Sequence, residues 1–147
     1  DIKVVIDYAH TPDALARALS TLAESDRCGQ LWVLFGCGGD RDRGKRAEMG
    51  EVACRFADRV VVTSDNPRSE APTSIIEDIL KGCGDCAPLV EVDRAAAIAL
   101  AVSQAHAGDT VLIAGKGHET YQEVAGVRLP FSDADYAAKQ LLQRRAA

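Results

Sequence analysis

The sequence lacks an excess of positive charge. Its 147 residues carry 17 Lys and Arg against 22 Asp and Glu, which gives a formal net charge of −5. Proteins that bind nucleic acid or an anionic membrane surface need a broad basic face. The composition therefore argues against nucleic-acid and membrane partners, and any cationic site is predicted to be local.

Long apolar stretches are also missing, so no segment is predicted to span a membrane. The five cysteines form an odd set without the regular spacing of a secreted disulfide framework, which favours a reducing, cytoplasmic setting. Cys83 and Cys86 have C-x-x-C spacing, but a zinc site would need a second pair of ligands that the sequence does not supply. We therefore predict no metal site and treat this pair as incidental.

Strand-like and helix-like segments alternate along the chain. Short, continuous aliphatic runs are typical of strands buried on both faces, and they occur at residues 4–6, 31–35, 60–62, 89–92 and 111–113. Apolar residues at helical spacing separate these runs, and the predicted helix caps are Thr11, Ser74, Asp93 and Ser132. Residues 121–124 and 127–131, joined by Ala125-Gly126, predict a hairpin.

This alternation predicts an α/β fold with three layers. We expect a mostly parallel, Rossmann-like sheet of about six strands, with helices on both faces and the hairpin as a C-terminal antiparallel edge. The length and the 47% hydrophobic content fit one domain over residues 1–147.

Polar or glycine-rich segments follow four of the predicted strands, at residues 7–12, 36–46, 63–68 and 115–119. In an open parallel sheet, ligands bind beyond the carboxyl ends of the strands, where such segments gather. We therefore predict one ligand site at this edge.

The segment at residues 36–46 is not a nucleotide-binding loop. Gly39 to Lys45 has the G-x-x-x-x-G-K spacing of a Walker A loop, but Arg46 stands where Mg²⁺ needs a hydroxyl. The dinucleotide fingerprint fails because Arg41 occupies the position of its third glycine. A tight turn that projects Arg41 into the cleft as a carboxylate or phosphate ligand, with neighbouring aspartates binding other cations, fits better. The alternative is a solvated, salt-bridged loop.

Two further segments contain charged candidates. In Asp65-Asn66-Pro67-Arg68 the proline stiffens the turn, which could fix Arg68 for a carboxylate, or the turn could leave Arg68 in solvent. After Gly115, which lets a backbone approach a ligand closely, Glu119 could bind an ammonium group. Lys116 could instead pair with a nearby carboxylate. His118 could be an acid-base residue or a packed turn residue.

Asp7 and His10 follow the first strand. They could face a nucleotide, or they could serve as a cap and a buried polar contact of the first helix. The sequence alone leaves both possibilities open.

Together, the segments V-I-D-Y-A-H-T-P-D, F-G-C-G-G-D-R-D, D-N-P-R and G-K-G-H-E, in this order, resemble the C-terminal domain of the UDP-N-acetylmuramoyl-tripeptide synthetases, which are ATP-dependent Mur ligases. The resemblance covers essentially the whole chain. It implies a three-domain enzyme of peptidoglycan synthesis that uses ATP and Mg²⁺ to phosphorylate the D-glutamate carboxylate of UDP-N-acetylmuramoyl-L-alanyl-D-glutamate. An amine then attacks the acyl phosphate.

In this family the D-N-P-R form accompanies meso-diaminopimelate. The positions that the resemblance assigns to this amino acid are Arg41, Asp65, Asn66, Arg68, Gly115 and Glu119. The resemblance also matches Asp7, Tyr8 and His10 to the stretch that family members bring close to ATP when this domain closes.

The resemblance also implies that much of the enzyme lies outside these residues. The P-loop central domain, which would bind most of the ATP and Mg²⁺, and the UDP-binding N-terminal domain have no counterpart here. We therefore expect no turnover from the chain alone and assign it no catalytic residue. The alternatives are a folylpolyglutamate synthetase-like ligase domain and a stand-alone regulatory module that binds a small ligand.

Overall fold

A central sheet of five parallel strands organises the computed structural model, which describes residues 1–25 and 28–146. The strands are β1 (Lys3–Asp7), β2 (Leu31–Phe35), β3 (Arg59–Val62), β4 (Leu89–Val90) and β5 (Thr110–Ala114). Their order across the sheet is β1-β5-β2-β3-β4. Every residue of β2 and β5 is buried, as expected for inner strands covered on both faces.

Helices cover both faces of this sheet, which confirms the predicted three-layer α/β class. They are α1 (Pro12–Glu24), α2 (Gly44–Phe56), α3 (Pro72–Leu80), α4 (Arg94–Gln104) and α5 (Asp133–Ala146). Leu19, Met49 and Ile76 carry α1 to α3 onto one face, whereas Ile98 and Ala137 carry α4 and α5 onto the other. Among the described residues, no helix is both long and apolar enough to cross a membrane.

Three of the four predicted helix caps are confirmed. Thr11 Oγ1 accepts a hydrogen bond from the amide of Ala14, Asp93 accepts one from Ala95, and Ser132 accepts one from Asp135. The cap predicted at Ser74 is wrong. Helix α3 already begins at Pro72, whose fixed φ suits the first helical position, so Ser74 lies inside the first turn.

Helix α2 was not predicted from the spacing of apolar residues. Its buried face includes Arg46 and Gly50 beside Met49 and Ala53. A buried arginine and a glycine interrupt the apolar stripe by which such a helix is recognised in sequence.

The hairpin forms where it was predicted, but it does not extend the central sheet. Strands β6 (Tyr121–Val124) and β7 (Val127–Pro130) make a separate two-stranded sheet. The predicted antiparallel edge is therefore wrong, and the central sheet has five strands instead of about six. β6 pairs instead with the loop after β3, because the Arg68 amide donates to the carbonyl of Glu123 and the Ala125 amide donates to that of Arg68.

The cysteines include one pair that the spacing did not indicate. Cys54 of α2 and Cys86 form a disulfide across 32 residues, while Cys28, Cys37 and Cys83 are free. Cys86 is thus part of a bond, and treating the C-x-x-C pair as incidental overlooked it. The pairing joins segments that are distant in sequence, so local spacing could not reveal it.

A buried ion pair connects both helices of one face to the sheet. Arg94, at the start of α4, donates from Nε and Nη2 to the two carboxylate oxygens of Asp133, each at 2.8 Å, and neither side chain is exposed. Its other bonds reach the carbonyls of Ser64, after β3, and Ala114, at the end of β5. This arginine therefore fixes the carboxyl edge where two strands end.

Replacement of Asp133 by asparagine should destabilise the chain by about 3 kcal/mol, because it leaves the buried Arg94 charge without a counter-ion. Urea unfolding at neutral pH measures this loss. The matched variant Asp135→Asn, at an exposed position of the same helix, should cost less than about 1 kcal/mol. Equal, small losses in both variants would contradict this account of the ion pair.

Candidate functional site

The four polar segments predicted to share one edge meet around a cavity of about 380 Å³. It is lined by all six residues that were predicted to bind an amino acid: Arg41, Asp65, Asn66, Arg68, Gly115 and Glu119. Tyr8 and His10 line the same cavity, but Asp7 does not. Cations and carboxylates therefore face one space from three loops.

The glycine loop, residues 36–46, is held against the turn that follows β3. The Gly39 amide donates to the carbonyl of Asn66 at 2.8 Å, and a side chain at Gly39 would collide with the carbonyl of Pro67. Buried Arg46 donates to Glu70 at 2.6 Å, to Asp78 at 3.1 Å and to the Gly38 carbonyl at 3.2 Å. The residue that rules out a Walker A loop is thus an internal connection between two loops.

Arg41 is exposed at the cavity wall, and in the described part of the chain its guanidinium forms no ion pair. The prediction that the neighbouring aspartates bind cations is wrong. Asp40 accepts from the hydroxyl of Ser69 at 2.5 Å, and Asp42 accepts from the Gly44 amide at the start of α2. The two carboxylates shape the loop instead, which leaves Arg41 available to a ligand.

Arg68 is fixed at the cavity and does not extend into solvent. Its Nε lies 3.0 Å from Glu123 Oε2 and its Nη1 lies 3.0 Å from the Gly39 carbonyl oxygen. The backbone has φ 53°, a left-handed conformation that costs a side-chain-bearing residue roughly 1 kcal/mol. The bonds to β6 and to the glycine loop offset this cost, and within residues 1–25 and 28–146 the remaining guanidinium N–H groups have no hydrogen-bond partner.

Gly115 and Glu119 complete the opposite wall. Gly115 has φ 112°, and a Cβ there would lie 2.9 Å from Asp65 Oδ2, so only glycine lets this carboxylate approach. Glu119 Oε1 lies 3.5 Å from both Asn66 Nδ2 and Lys116 Nζ. Lys116 pairs with nearby carboxylates, which was the possibility considered for it from the sequence. His118 is exposed.

The residues of the segment after β1 lie in two different environments. Asp7 Oδ1 accepts the amide of Ala9 at 2.8 Å and stabilises the turn. Tyr8 is 54% exposed, and its ring lies 4.6 Å from the His10 ring at the cavity. Of these three residues, only Tyr8 and His10 are therefore positioned to touch a ligand in this cavity.

Five residues that line the cavity were not among the predicted site residues: Gly36, Cys37, Gly38, Lys45 and Tyr121. Burial, together with the nearby Asp65 charge, raises the pKa of the Cys37 thiol to about 12, so it is a neutral packing group and not a nucleophile. Lys45 belongs to the same charge run as Arg41 and could have been named with it. Nothing local distinguishes Tyr121, because the cavity reaches it only through the position of the hairpin.

A parallel α/β sheet with a charged cavity at its carboxyl edge defines a ligand-binding domain of the open-sheet class. The chain belongs to the Mur ligase family, since the family's sequence model, described as "Mur ligase, glutamate ligase domain", matches residues 1–117.

Two relatives and one solved structure that are similar to this chain share the same name. A UDP-N-acetylmuramoyl-L-alanyl-D-glutamate--2,6-diaminopimelate ligase of Chromobacterium violaceum is 59% identical over 139 residues, covering 94% of this chain and 28% of the relative. One of the same name from Neisseria meningitidis serogroup A is 59% identical, covering 97% and 29%. A solved structure of that name has a TM-score of 0.91 at 47% identity, covering 97% of this chain and 29% of that one. The chain thus spans under a third of the length of these proteins.

More distant structures share the fold alone. Mycobacterium tuberculosis folylpolyglutamate synthase has a TM-score of 0.58 at 22% identity, covering 76% of this chain and 26% of that one.

The bond between Arg46 and Glu70 should give the chain a specific acid sensitivity. Hydrogen bonds from Arg46 and from the Asp40 amide lower the pKa of Glu70 from 4.5 to about 2. A carboxylate with a lowered folded-state pKa contributes stability above its unfolded pKa and loses it as the pH falls through the folded value. Unfolding free energies of the wild type should therefore fall more steeply between pH 4.5 and pH 2 than those of Glu70→Gln. Parallel curves for the two proteins would refute the proposed bond.

Proposed function

We propose that this chain is the C-terminal, amino-acid-binding domain of an ATP-dependent ligase of peptidoglycan synthesis. The ligase adds meso-diaminopimelate to UDP-N-acetylmuramoyl-L-alanyl-D-glutamate. The observation that carries the proposal is the cavity in which Arg41 and Arg68 face Asp65 and Glu119. The names of the relatives at 59% identity support it.

The charges of the cavity suit a guest that is zwitterionic at both ends. Guanidinium groups bind carboxylates with directional, charge-assisted hydrogen bonds. Arg68 has N–H groups for this purpose that no other described residue binds. Glu119, about a quarter exposed at 24%, binds the ammonium at the same end of the guest. The amine at the other end is left to react.

The same arrangement discriminates against lysine. Lysine has no carboxylate on its side chain, so it would leave guanidinium donors of the cavity without partners. Sites built to bind a polar group reject analogues that lack it much more strongly than apolar pockets reject a missing methylene. Arg41 and Arg68 are therefore the residues proposed to set the preference.

The chemistry itself takes place at the boundary between this chain and the rest of the ligase. The D-glutamate carboxylate takes the γ-phosphoryl group of ATP, and the amine of the guest attacks the resulting acyl phosphate and displaces phosphate. Tyr8 and His10, at the cavity, are proposed to face the nucleotide, with Asp7 stabilising their turn. In residues 1–25 and 28–146 no group of three or more His, Cys, Asp or Glu side chains could hold a metal.

ATP and Mg²⁺ are proposed to bind mainly in a central domain outside this chain. The UDP-linked substrate and the remaining domains of the ligase are its proposed partners, and the proposed location is the cytoplasm. Under this proposal the chain alone produces no turnover.

Replacement of Arg68 by alanine in the complete ligase should raise the KM for meso-diaminopimelate between about tenfold and a hundredfold, because hydrogen bonds to a charged group are lost. The KM for ATP should stay within about twofold of the wild type. Steady-state kinetics with each substrate varied in turn measure both values.

Arg128→Ala is the matched control. Arg128 lies 3.7 Å from the same Glu123 carboxylate but does not line the cavity. Its loss should leave both constants near wild type. An unchanged KM for meso-diaminopimelate in Arg68→Ala would remove Arg68 from the site.

A further inference from the structure

Lys116 is a fully buried lysine enclosed by the residues of the cavity. It follows β5 between Gly115 and Gly117, whose φ values of 112° and 53° turn the chain sharply, and its side chain has no exposed surface. Nζ lies 2.8 Å from Asn66 Oδ1, 3.1 Å from the Tyr121 carbonyl oxygen and 3.1 Å from Asp65 Oδ1. Lys116 itself does not line the cavity, so a ligand there cannot touch it.

Lys116 and the backbone amide of Glu123 together determine which way the Asn66 amide faces. Asn66 Oδ1 accepts from Lys116 Nζ and also from the Glu123 amide at 2.9 Å. A flipped amide would place its NH₂ group against two donors, so the observed orientation is the only one that satisfies them. Nδ2 is thereby directed to Glu119, 3.5 Å away at the cavity wall.

The lysine also offsets the repulsion between two carboxylates. Asp65 and Glu119 both line the cavity, and Lys116 Nζ lies within 3.1 Å and 3.5 Å of them. Without this cation, two like charges would face each other in a partly desolvated space, which favours their moving apart. Because desolvation is costly, a buried ammonium requires such partners in turn.

We propose that Lys116 is a positioning residue of the amino-acid site. It directs the Asn66 amide and holds Glu119, and through them it sets the affinity for a guest that carries both an ammonium and a carboxylate group. This inference rests on the proposed function of the cavity. It deepens that function by assigning a role to a residue that never contacts the guest.

The kinetic test is Lys116→Met in the complete ligase, which keeps the length of the side chain and removes the charge and the donors. The KM for meso-diaminopimelate should rise at least about tenfold, while the KM for ATP changes less than about threefold. Lys81→Met, at an exposed lysine outside the cavity lining, should behave as wild type. A purely structural role would lower the melting temperature with no selective change in the amino-acid KM, and that result would overturn the proposal.

A double-mutant cycle shows whether Lys116 acts through Asn66. In an Asn66→Ala background, Lys116→Met should raise the KM by less than about threefold, because the amide that it orients is already gone. If the two substitutions instead raise the KM by independent factors that multiply, Lys116 does not act through Asn66.

A measurement on the wild-type chain separates this inference from the proposed function and does not require a variant to fold. The side-chain ammonium of Lys116, buried against two hydrogen-bond acceptors and the Asp65 carboxylate, should give an NMR signal that exchanges slowly with water. If the ammonium exchanges as fast as that of exposed Lys81, Lys116 does not hold the site. If the signals are as expected but meso-diaminopimelate does not bind, the proposed function fails and the positioning role stands.

Discussion

The parallel order of the five strands is the constraint on which the rest of this structure depends. Because all strands run in one direction, their carboxyl ends, and the loops that follow them, gather at one edge. This geometry brings Arg41, Arg68 and Glu119, which are widely separated in sequence, to a single cavity. The proposed site for a small amino acid that bears both signs of charge depends on this meeting of complementary charges.

Buried cations hold this edge together. Arg94 connects the ends of β3 and β5, Arg46 joins the glycine loop to Glu70, and Lys116 links the turn after β3 to the segment after β5. Each has carboxylate or carbonyl partners, as a buried charge must. Such groups specify the geometry of loops more than they add net stability, because desolvation cancels much of the attraction.

The sequence alone was sufficient for most of what is determined locally or by strand direction, with the start of α3 and the whole of α2 as exceptions. Continuous aliphatic runs located the strands, Thr11 and Asp93 capped their helices, and strand direction alone placed the polar segments on one edge. Contacts between residues that are distant in sequence could not be predicted. The Arg94–Asp133 pair joins positions 39 residues apart. The turn residues at Ala125-Gly126 predicted the hairpin, but they did not predict where it packs.

The central claim is that the cavity recognises an amino acid with a charged group of each sign at its far end. The most direct test is titration calorimetry of meso-diaminopimelate, lysine and glutamate binding to the complete ligase, with the UDP-linked substrate and a non-hydrolysable ATP analogue present so that no reaction occurs. The account predicts that meso-diaminopimelate binds at least about 100-fold more tightly than either competitor. Equal affinity for lysine or glutamate would contradict it.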